Sequence, residues 1–274
     1  MIYVNGNKIE FTSFPDGTTS FRYDPLKDPT CFDGFQITWE YDGDHECILL
    51  WYLVNHIRNC CGAYIPITLW MPYIPNARMD RVKSGDEVFT LKWFAQFLNS
   101  MRFDNVKVHD PHSNVSAALI DNIEVVPAHD CIEVVSDILN NERGLNVLYC
   151  YPDEGAAKRY SEQICGEYVF GIKHRDWRSG KIERLELSGA EKVNGRNILI
   201  VDDICSRGGT FTHMAKALKN AGANEIFLYV THCENTIENG SVLTDGMISH
   251  VFTTRSIYRG IHEKITVIDK GEAD

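Results

Sequence analysis

Ile198-Leu199-Ile200-Val201-Asp202-Asp203-Ile204-Cys205-Ser206-Arg207-Gly208-Gly209-Thr210 is the stretch on which the reading of this chain turns. The apolar run Ile198 to Val201 has the pattern of a strand buried on both faces, as in a parallel sheet covered by helices. Two carboxylates end the run. Phe211, Met214, Ala215 and Leu218 then recur at helical spacing, Gly222 supplies a stop, and Ile226 to Val230 gives the next strand. The loop inside this strand–loop–helix–strand unit meets the needs of an anion. Gly208 and Gly209 let the backbone curl close, the helix N-terminus offers N–H groups, and the Ser206 and Thr210 hydroxyls add donors. Asp202 and Asp203 stand where open α/β sheets place ligands, and they suit the hydroxyls of a sugar. A ribose phosphate satisfies both halves. An ordinary βα turn explains the glycines alone, but not strand, paired acids, Gly-Gly-Thr and helix together. Neither G-x-x-x-x-G-K-[ST] nor G-x-G-x-x-G occurs, so neither a P-loop nor a dinucleotide fingerprint is supported.

Working outward, strand-like and helix-like periodicities alternate, which predicts an α/β fold with mainly parallel central sheets. Ile65 to Met71 reads as a strand closed by Pro72 and Pro75. Glu87 to Leu98 reads as a helix with Val88, Leu91, Phe94, Ala95 and Leu98 on one face. Val106 to His109 is a strand, Asp130 to Leu139 a helix and Val147 to Cys150 a strand. Gly155 to Ile164 is a helix opened by Asp153-Glu154, and Tyr168 to Ile172 a strand. The pattern divides near its midpoint into two similar halves, 1–135 and 136–274.

The chain has 274 residues, 44% of them apolar, enough for one large core or two ordinary ones. Its 27 Lys+Arg against 38 Asp+Glu give a net charge of −11, which repels nucleic-acid phosphates and anionic membranes. Neither partner is expected. Ile48 to Val54 is too short to cross a bilayer, and Met1-Ile2-Tyr3-Val4-Asn5 lacks a secretion-signal layout, so a soluble cytoplasmic protein is expected. Nine cysteines without a C-x-x-C pair read as reduced, mostly buried thiols. His109/His112 and His232/Cys233 offer metal-ligand pairs without further partners in register.

The Asp202–Thr210 loop resembles the ribose-phosphate loop of type I phosphoribosyltransferases and of phosphoribosyl-diphosphate (PRPP) synthetases. Other segments single out the synthetases. Met71-Pro72-Tyr73-Ile74-Pro75-Asn76-Ala77-Arg78-Met79-Asp80-Arg81 resembles their P-Y-x-x-x-A-R-Q-D-R segment, and His109-Asp110-Pro111-His112 their D-L-H. Tyr151-Pro152-Asp153-Glu154-Gly155 resembles S-P-D-x-G, and Lys173-His174-Arg175 the flexible-loop K-R-R. These pieces are collinear over most of residues 65–230. The resemblance implies two tandem phosphoribosyltransferase-like domains, the N-terminal one on the ATP side, in a homo-oligomer (a dimer or larger) with ATP between subunits.

The implied reaction moves the β,γ-diphosphoryl group of ATP onto the anomeric hydroxyl of a 5-phosphorylated ribose, with Mg²⁺ as cofactor, releasing AMP. Lys173 and Arg175 would be catalytic. Arg78, Asp80, Arg81 and His112 would bind ATP, and His112 and Asp153 would hold Mg²⁺. Asp202, Asp203, Ser206, Arg207, Gly208, Gly209 and Thr210 would hold the ribose phosphate. The adenine segment F-x-D-G-E appears as Phe14-Pro15-Asp16-Gly17-Thr18, where Phe14 can stack and Asp16 accept a base amino proton. Each residue also has a plainer reading. Arg78/Arg81 could be a solvated pair, His112 a cap near Ser113, Asp153 a helix N-terminal carboxylate, Lys173-His174-Arg175 an exposed basic loop, and Asp16-Gly17 an ordinary turn.

Where family members carry Asp-Thr, this chain has Ser206-Arg207. That change of two charge units toward positive favours an acceptor with more phosphate than ribose 5-phosphate, such as ADP-ribose, whose product would be ADP-ribose 1-diphosphate, a compound of NAD salvage. Two other classes stay open. A phosphoribosyltransferase consuming PRPP needs only the Asp202–Thr210 loop and leaves Arg78, Arg81, Lys173 and Arg175 without a task. A non-catalytic synthetase-associated subunit would not need Lys173, Arg175, Asp202 and Asp203.

Overall fold

The computed structural model describes residues 1–29, 31–175 and 182–268, and of residues 173–175 and 182–184 the backbone alone. It divides the chain into two compact units, Met1–Val126 and Pro127–Asp274. The division falls before the position expected at 135, because the helix the sequence divides there belongs whole to the second unit and lends Cys131, Ile132 and Val135 to its core.

The first unit runs β1 (Ile2–Val4), β2 (Asn7–Lys8), a hairpin of β3 (Phe11–Ser13) and β4 (Thr19–Phe21), then β5 (Phe35–Trp39), α1 (His45–Cys61) and β6 (Ile67–Met71). It continues with α2 (Thr90–Ser100), β7 (Asn105–His109), α3 (Asn114–Leu119) and β8 (Ile123–Val126). The six-stranded sheet has the order β2-β1-β5-β6-β7-β8 and is parallel from β5 to β8. Leu50, Leu53, Val54 and Ile57 of α1 and Leu91, Phe94, Ala95 and Leu98 of α2 supply its helical core. Val88 does not join that face. It lies before α2 and is 57% exposed, because residues 84–87 are drawn into a turn in which the Lys83 N–H donates to Glu87 Oε2 (2.7 Å).

The second unit runs α4 (His129–Asp137), β9 (Leu148–Tyr151), α5 (Glu154–Tyr160), β10 (Tyr168–Arg175), β11 (Ile182–Ser188) and β12 (Ile198–Cys205). It ends with α6 (Gly209–Asn220), β13 (Ile226–Cys233), β14 (His250–Thr254) and β15 (Ile265–Ile268). Its seven strands take the order β11-β10-β9-β12-β13-β14-β15, and all but β11 are parallel. Alternation along the central strand is clean. Ile198 and Ile200 pack toward Phe211, Met214, Ala215 and Leu218 of α6, while Leu199 and Val201 face the opposite core with Ala156, Ala157 and Tyr160 of α5. Each fully buried Ile, Leu or Val of the strand contributes about 1.5–3 kcal/mol.

Among the described residues, no helix is long and apolar enough to cross a membrane. All nine cysteines are free, and Cys31, Cys131, Cys150, Cys205 and Cys233 are buried.

Candidate active site

In the second unit the strand does not stop at Val201. β12 remains paired to β13 as far as Cys205 opposite Cys233, so Asp202 and Asp203 are strand residues whose directions are set by the pleat. Asp203 shares the parity of Leu199 and Val201 and faces α5. There its Oδ2 lies 3.4 Å from Arg159 Nη1, with only 7% of the carboxylate side chain exposed. Burial, the charge of Asp203 and a hydrogen bond with it push the Asp202 carboxyl well above the ordinary carboxylate range, and Asp153 adds to the push. Asp153 is the N-cap of α5: the Ala156 N–H donates to its Oδ1 at 3.0 Å. The capping reading of Asp153 therefore holds, and its charge adds to the raised Asp202 carboxyl.

The Ser206–Thr210 loop turns at Gly208, whose φ of 78° is left-handed and which stands at the N-cap of α6 without a side-chain cap. A Cβ on Gly208 would overlap Val242 Cγ2, and one on Gly240 would overlap the Arg207 carbonyl. The segment after β13 thus clamps the loop from behind. The Glu234 N–H donates to the Cys205 carbonyl (2.8 Å), Ser206 Oγ meets Thr236 Oγ1 (3.1 Å), and Thr212 Oγ1 meets Ser241 Oγ (2.8 Å). Arg207 and Gly209 face solvent, and Ser206 and Thr210 are partly buried. The loop can present backbone N–H groups, hydroxyls and a guanidinium to an anion, with two carboxylates beside it.

In the first unit two loops meet at the carboxyl ends of β6 and β7. After β6, Met71 to Pro75 and Ala77 are buried and Asn76 is left-handed (φ 64°), which leaves Arg78 exposed while Asp80 is only 6% exposed. Arg81 grips Asp80 with two donors, Nε to Oδ1 (2.8 Å) and Nη2 to Oδ2 (3.2 Å). That hydrogen-bonded guanidinium above all, and then Ser113 and His112 from the loop after β7, hold the Asp80 carboxyl below its ordinary range. Asp80, Arg81 and His112 are thus brought together by the fold. Ser113, not His112, occupies the N-cap position of α3, so the capping reading of His112 is corrected by one residue. Asp110 beside it is buried and left-handed (φ 42°), its N–H donating to the Val126 carbonyl (2.9 Å).

Phe14 and Asp16 lie at the tip of the β3–β4 hairpin, a separate two-stranded sheet. Phe14 is 56% exposed, and Asp16 Oδ1 accepts from the Thr18 N–H (3.0 Å) and hydroxyl (2.7 Å), which gives Asp16 its turn-forming role. Those bonds lower its carboxyl, the hydroxyl contributing most. Lys173 and Arg175 belong to β10, which continues past the expected end at Ile172 in antiparallel register with β11. Their side chains lie outside the described residues. His109 is buried with its ring 6.5 Å from that of Trp70, and His232 Nδ1 meets Ser256 Oγ at 2.8 Å in a buried network. A further grouping that could hold a metal, His129 with Asp130 and Glu133, sits on the first turn of α4.

The sequence reading missed Arg159 and the clamp formed by Glu234, Thr236, Gly240 and Val242. Arg159 carried one local signal: it falls three and two residues after Ala156 and Ala157 on the apolar face of a short helix, where a cation is out of place unless it meets an acid.

A phosphoribosyl transferase domain model matches residues 157–242, from α5 to the clamp behind the Gly208 loop. A ribose-phosphate pyrophosphokinase of Sulfurisphaera tokodaii is 28% identical over 274 residues, covering 97% of this chain and 90% of that protein. One from Pyrococcus abyssi is 29% identical over 272 residues, covering 95% and 88%. The solved structure of a phosphoribosylpyrophosphate synthetase from Mycobacterium smegmatis superposes with a TM-score of 0.75 at 17% identity, over 95% of this chain and 85% of that one, and so shares its fold.

Proposed function

Because this chain belongs to the ribose-phosphate pyrophosphokinase family of transferases, we propose that it moves the β,γ-diphosphoryl group of ATP onto the anomeric hydroxyl of a 5-phosphorylated ribose. The observation that carries the reading is the loop after β12: uncapped α6 N–H groups, a glycine turn clamped from behind, and two carboxylates at its entrance. The anion end takes the 5-phosphate and the carboxylates take ribose hydroxyls. Arg78, Arg81 and His112 take the triphosphate, with Asp80 fixing Arg81. Phe14 and Asp16 contact the adenine. Lys173 and Arg175 supply cationic charge to phosphate oxygens on which negative charge builds during transfer.

The residues present fit Mg²⁺. Asp202 and Asp203 offer hard oxygen donors at the end of β12 and Asp153 another at the start of α5, and burial, then the Asp203 charge, disfavours the ionised Asp202 carboxylate, a cost a dication relieves. In the second unit Asp153, at the start of α5, would hold it. When bound, the ion would neutralise phosphate oxygens and orient the diphosphoryl group.

The exposed Arg207 extends this reading to the acceptor. A guanidinium at the mouth of the 5-phosphate loop suits a second phosphate attached to the first, so ADP-ribose is the favoured acceptor and ribose 5-phosphate the other. The deciding experiment incubates the chain with ATP, Mg²⁺ and each acceptor. Acceptor-dependent release of AMP is expected. Release of ADP would indicate simple phosphorylation, and pyrophosphate release from PRPP with a base would indicate a phosphoribosyltransferase; either overturns the proposal. Nucleotide-independent inertness would point to a non-catalytic subunit. Light scattering tests the expected homo-oligomer.

A further inference from the structure

Arg159 is a cation on the core-facing side of α5, and its surroundings fix where it points. Its guanidinium lies 5.7 Å from the centre of the Tyr160 ring, and Tyr160 is fully buried and stacked on Tyr151 with ring centres 6.2 Å apart. The other end of the geometry is Asp203, whose Oδ2 is 3.4 Å from Nη1, an ion pair somewhat longer than a close hydrogen bond. The strand pleat turns Asp203 toward α5, and helix position turns Arg159 toward β12.

This placement matters because of what stands next to it. Asp202 is the neighbour of Asp203 on β12, and the Asp153 carboxylate caps the same helix that carries Arg159. A carboxylate that accepts from ribose hydroxyls must be held in one orientation for both bonds to form. A cation braced beside the Tyr160–Tyr151 stack supplies that orientation for Asp203.

We propose that Arg159 is a positioning residue for the sugar: by holding the Asp203 carboxylate in place it determines how tightly the acceptor's ribose is bound, without touching ATP. The inference rests on the proposed diphosphoryl transfer, and it names the half of the reaction on which Arg159 acts. Because the pair is local to the second unit, its loss should be felt by ribose 5-phosphate and ADP-ribose alike. Both carry the same ribose, and only their phosphates differ.

The test compares the intact chain with Arg159→Gln and Arg159→Lys by steady-state kinetics, thermal melting, and calorimetric titration with ribose 5-phosphate and with ADP-ribose. Arg159→Gln should raise the acceptor KM and Kd by about tenfold or more, as expected for loss of a charge-assisted contact. The KM for ATP should stay within about twofold. Arg159→Lys, which keeps the charge but not the planar fork, should recover a substantial part of the loss. The inference fails if Arg159→Gln leaves acceptor affinity unchanged. It also fails if both KM values rise together with a lowered melting temperature that Lys does not restore, since that would be a packing role. Wild-type chain that binds the acceptors but releases no AMP would sink the transfer reaction while the Kd ratio still decides Arg159. Wild-type chain that binds neither acceptor would sink both.

Discussion

The two units present carboxylates at the same end of comparable parallel sheets and treat them in opposite ways. Asp80, after β6, is gripped by two donors of an adjacent exposed arginine and is held low, so its charge is settled before any ligand arrives. Asp202, within β12, is enclosed beside Asp203 and raised, so its charge carries a free-energy cost that a bound partner can relieve. The turns differ too. The first unit bends its loops with the left-handed Asn76 and Asp110, which keep their side chains, whereas the second bends at Gly208, where a Cβ has no room. The comparison separates a pre-set ionic scaffold from a strained receptor, the latter being the usual condition of a site shaped for a ligand rather than for stability.

The sharpest way to break the comparison is at the turns. Gly208→Val should destabilise the second unit by about 3 kcal/mol or more and abolish acceptor binding, since it adds a β-branched side chain in left-handed backbone against Val242. Asn76→Gly in the first unit should change stability by less than about 1 kcal/mol. Urea unfolding and acceptor titration read both, and equal effects would erase the distinction.

Next in size are the carboxylates. Asp202→Asn should lower activity about a hundredfold or more, yet leave the fold as stable or up to ~1 kcal/mol more stable, because it removes a charge disfavoured by burial and then by Asp203. Activity assays paired with melting curves check this, and a destabilised Asn variant would mean the charge is already compensated. Arg207→Thr should weaken ADP-ribose about tenfold and ribose 5-phosphate little, as expected for loss of one phosphate contact. Equal losses for the two acceptors would count against the diphosphate reading.

The smallest effect is Asp80→Asn, about 1 kcal/mol of lost stability through a pair that is exposed on its arginine side. Its pH dependence runs opposite to that of Asp202. Asp80 is depressed when folded, so its contribution is present above the ordinary value of 3.8 and is lost as pH falls through the lower folded value. Asp202 is raised, so relative to Asn it weakens the fold progressively as pH rises from 3.8 through its higher folded value. Unfolding midpoints of the two Asn variants between about pH 3 and pH 8 should therefore diverge from wild type in opposite directions.

The parts of this arrangement legible in the sequence are those with a local signature. The apolar run, paired acids, glycines and helical spacing from Ile198 to Leu218 are contiguous, and the β12–α6 unit follows from them. β1, β14 and β15 escape the reading: β1 has only three residues, and β14 and β15 carry polar His250, Thr253, Thr254 and Thr266 that interrupt an apolar run. α1 escaped because its outward face carries Ile48, Trp51 and Tyr52, which blur the apolar stripe. The clamp behind the glycine turn joins Ser206 to Thr236 and Arg207 to Gly240 across about thirty residues, and the Arg159–Asp203 pair spans two strands and a helix. Such contacts come from topology, and spacing along the chain says nothing of them. The pairing of Asp80 with Arg81 was adjacent in sequence, but only burial of one partner reveals that Arg81 is partly spent on it.

A glycine turn wedged between Val242 on one side and the Gly240 backbone on the other behaves as a casting whose outline is fixed. Lengthening or re-bending the loop would displace the whole 234–242 ribbon behind it. Substitutions at exposed rim positions such as Arg207 leave that outline untouched, so the chemistry of the rim can vary while its shape persists.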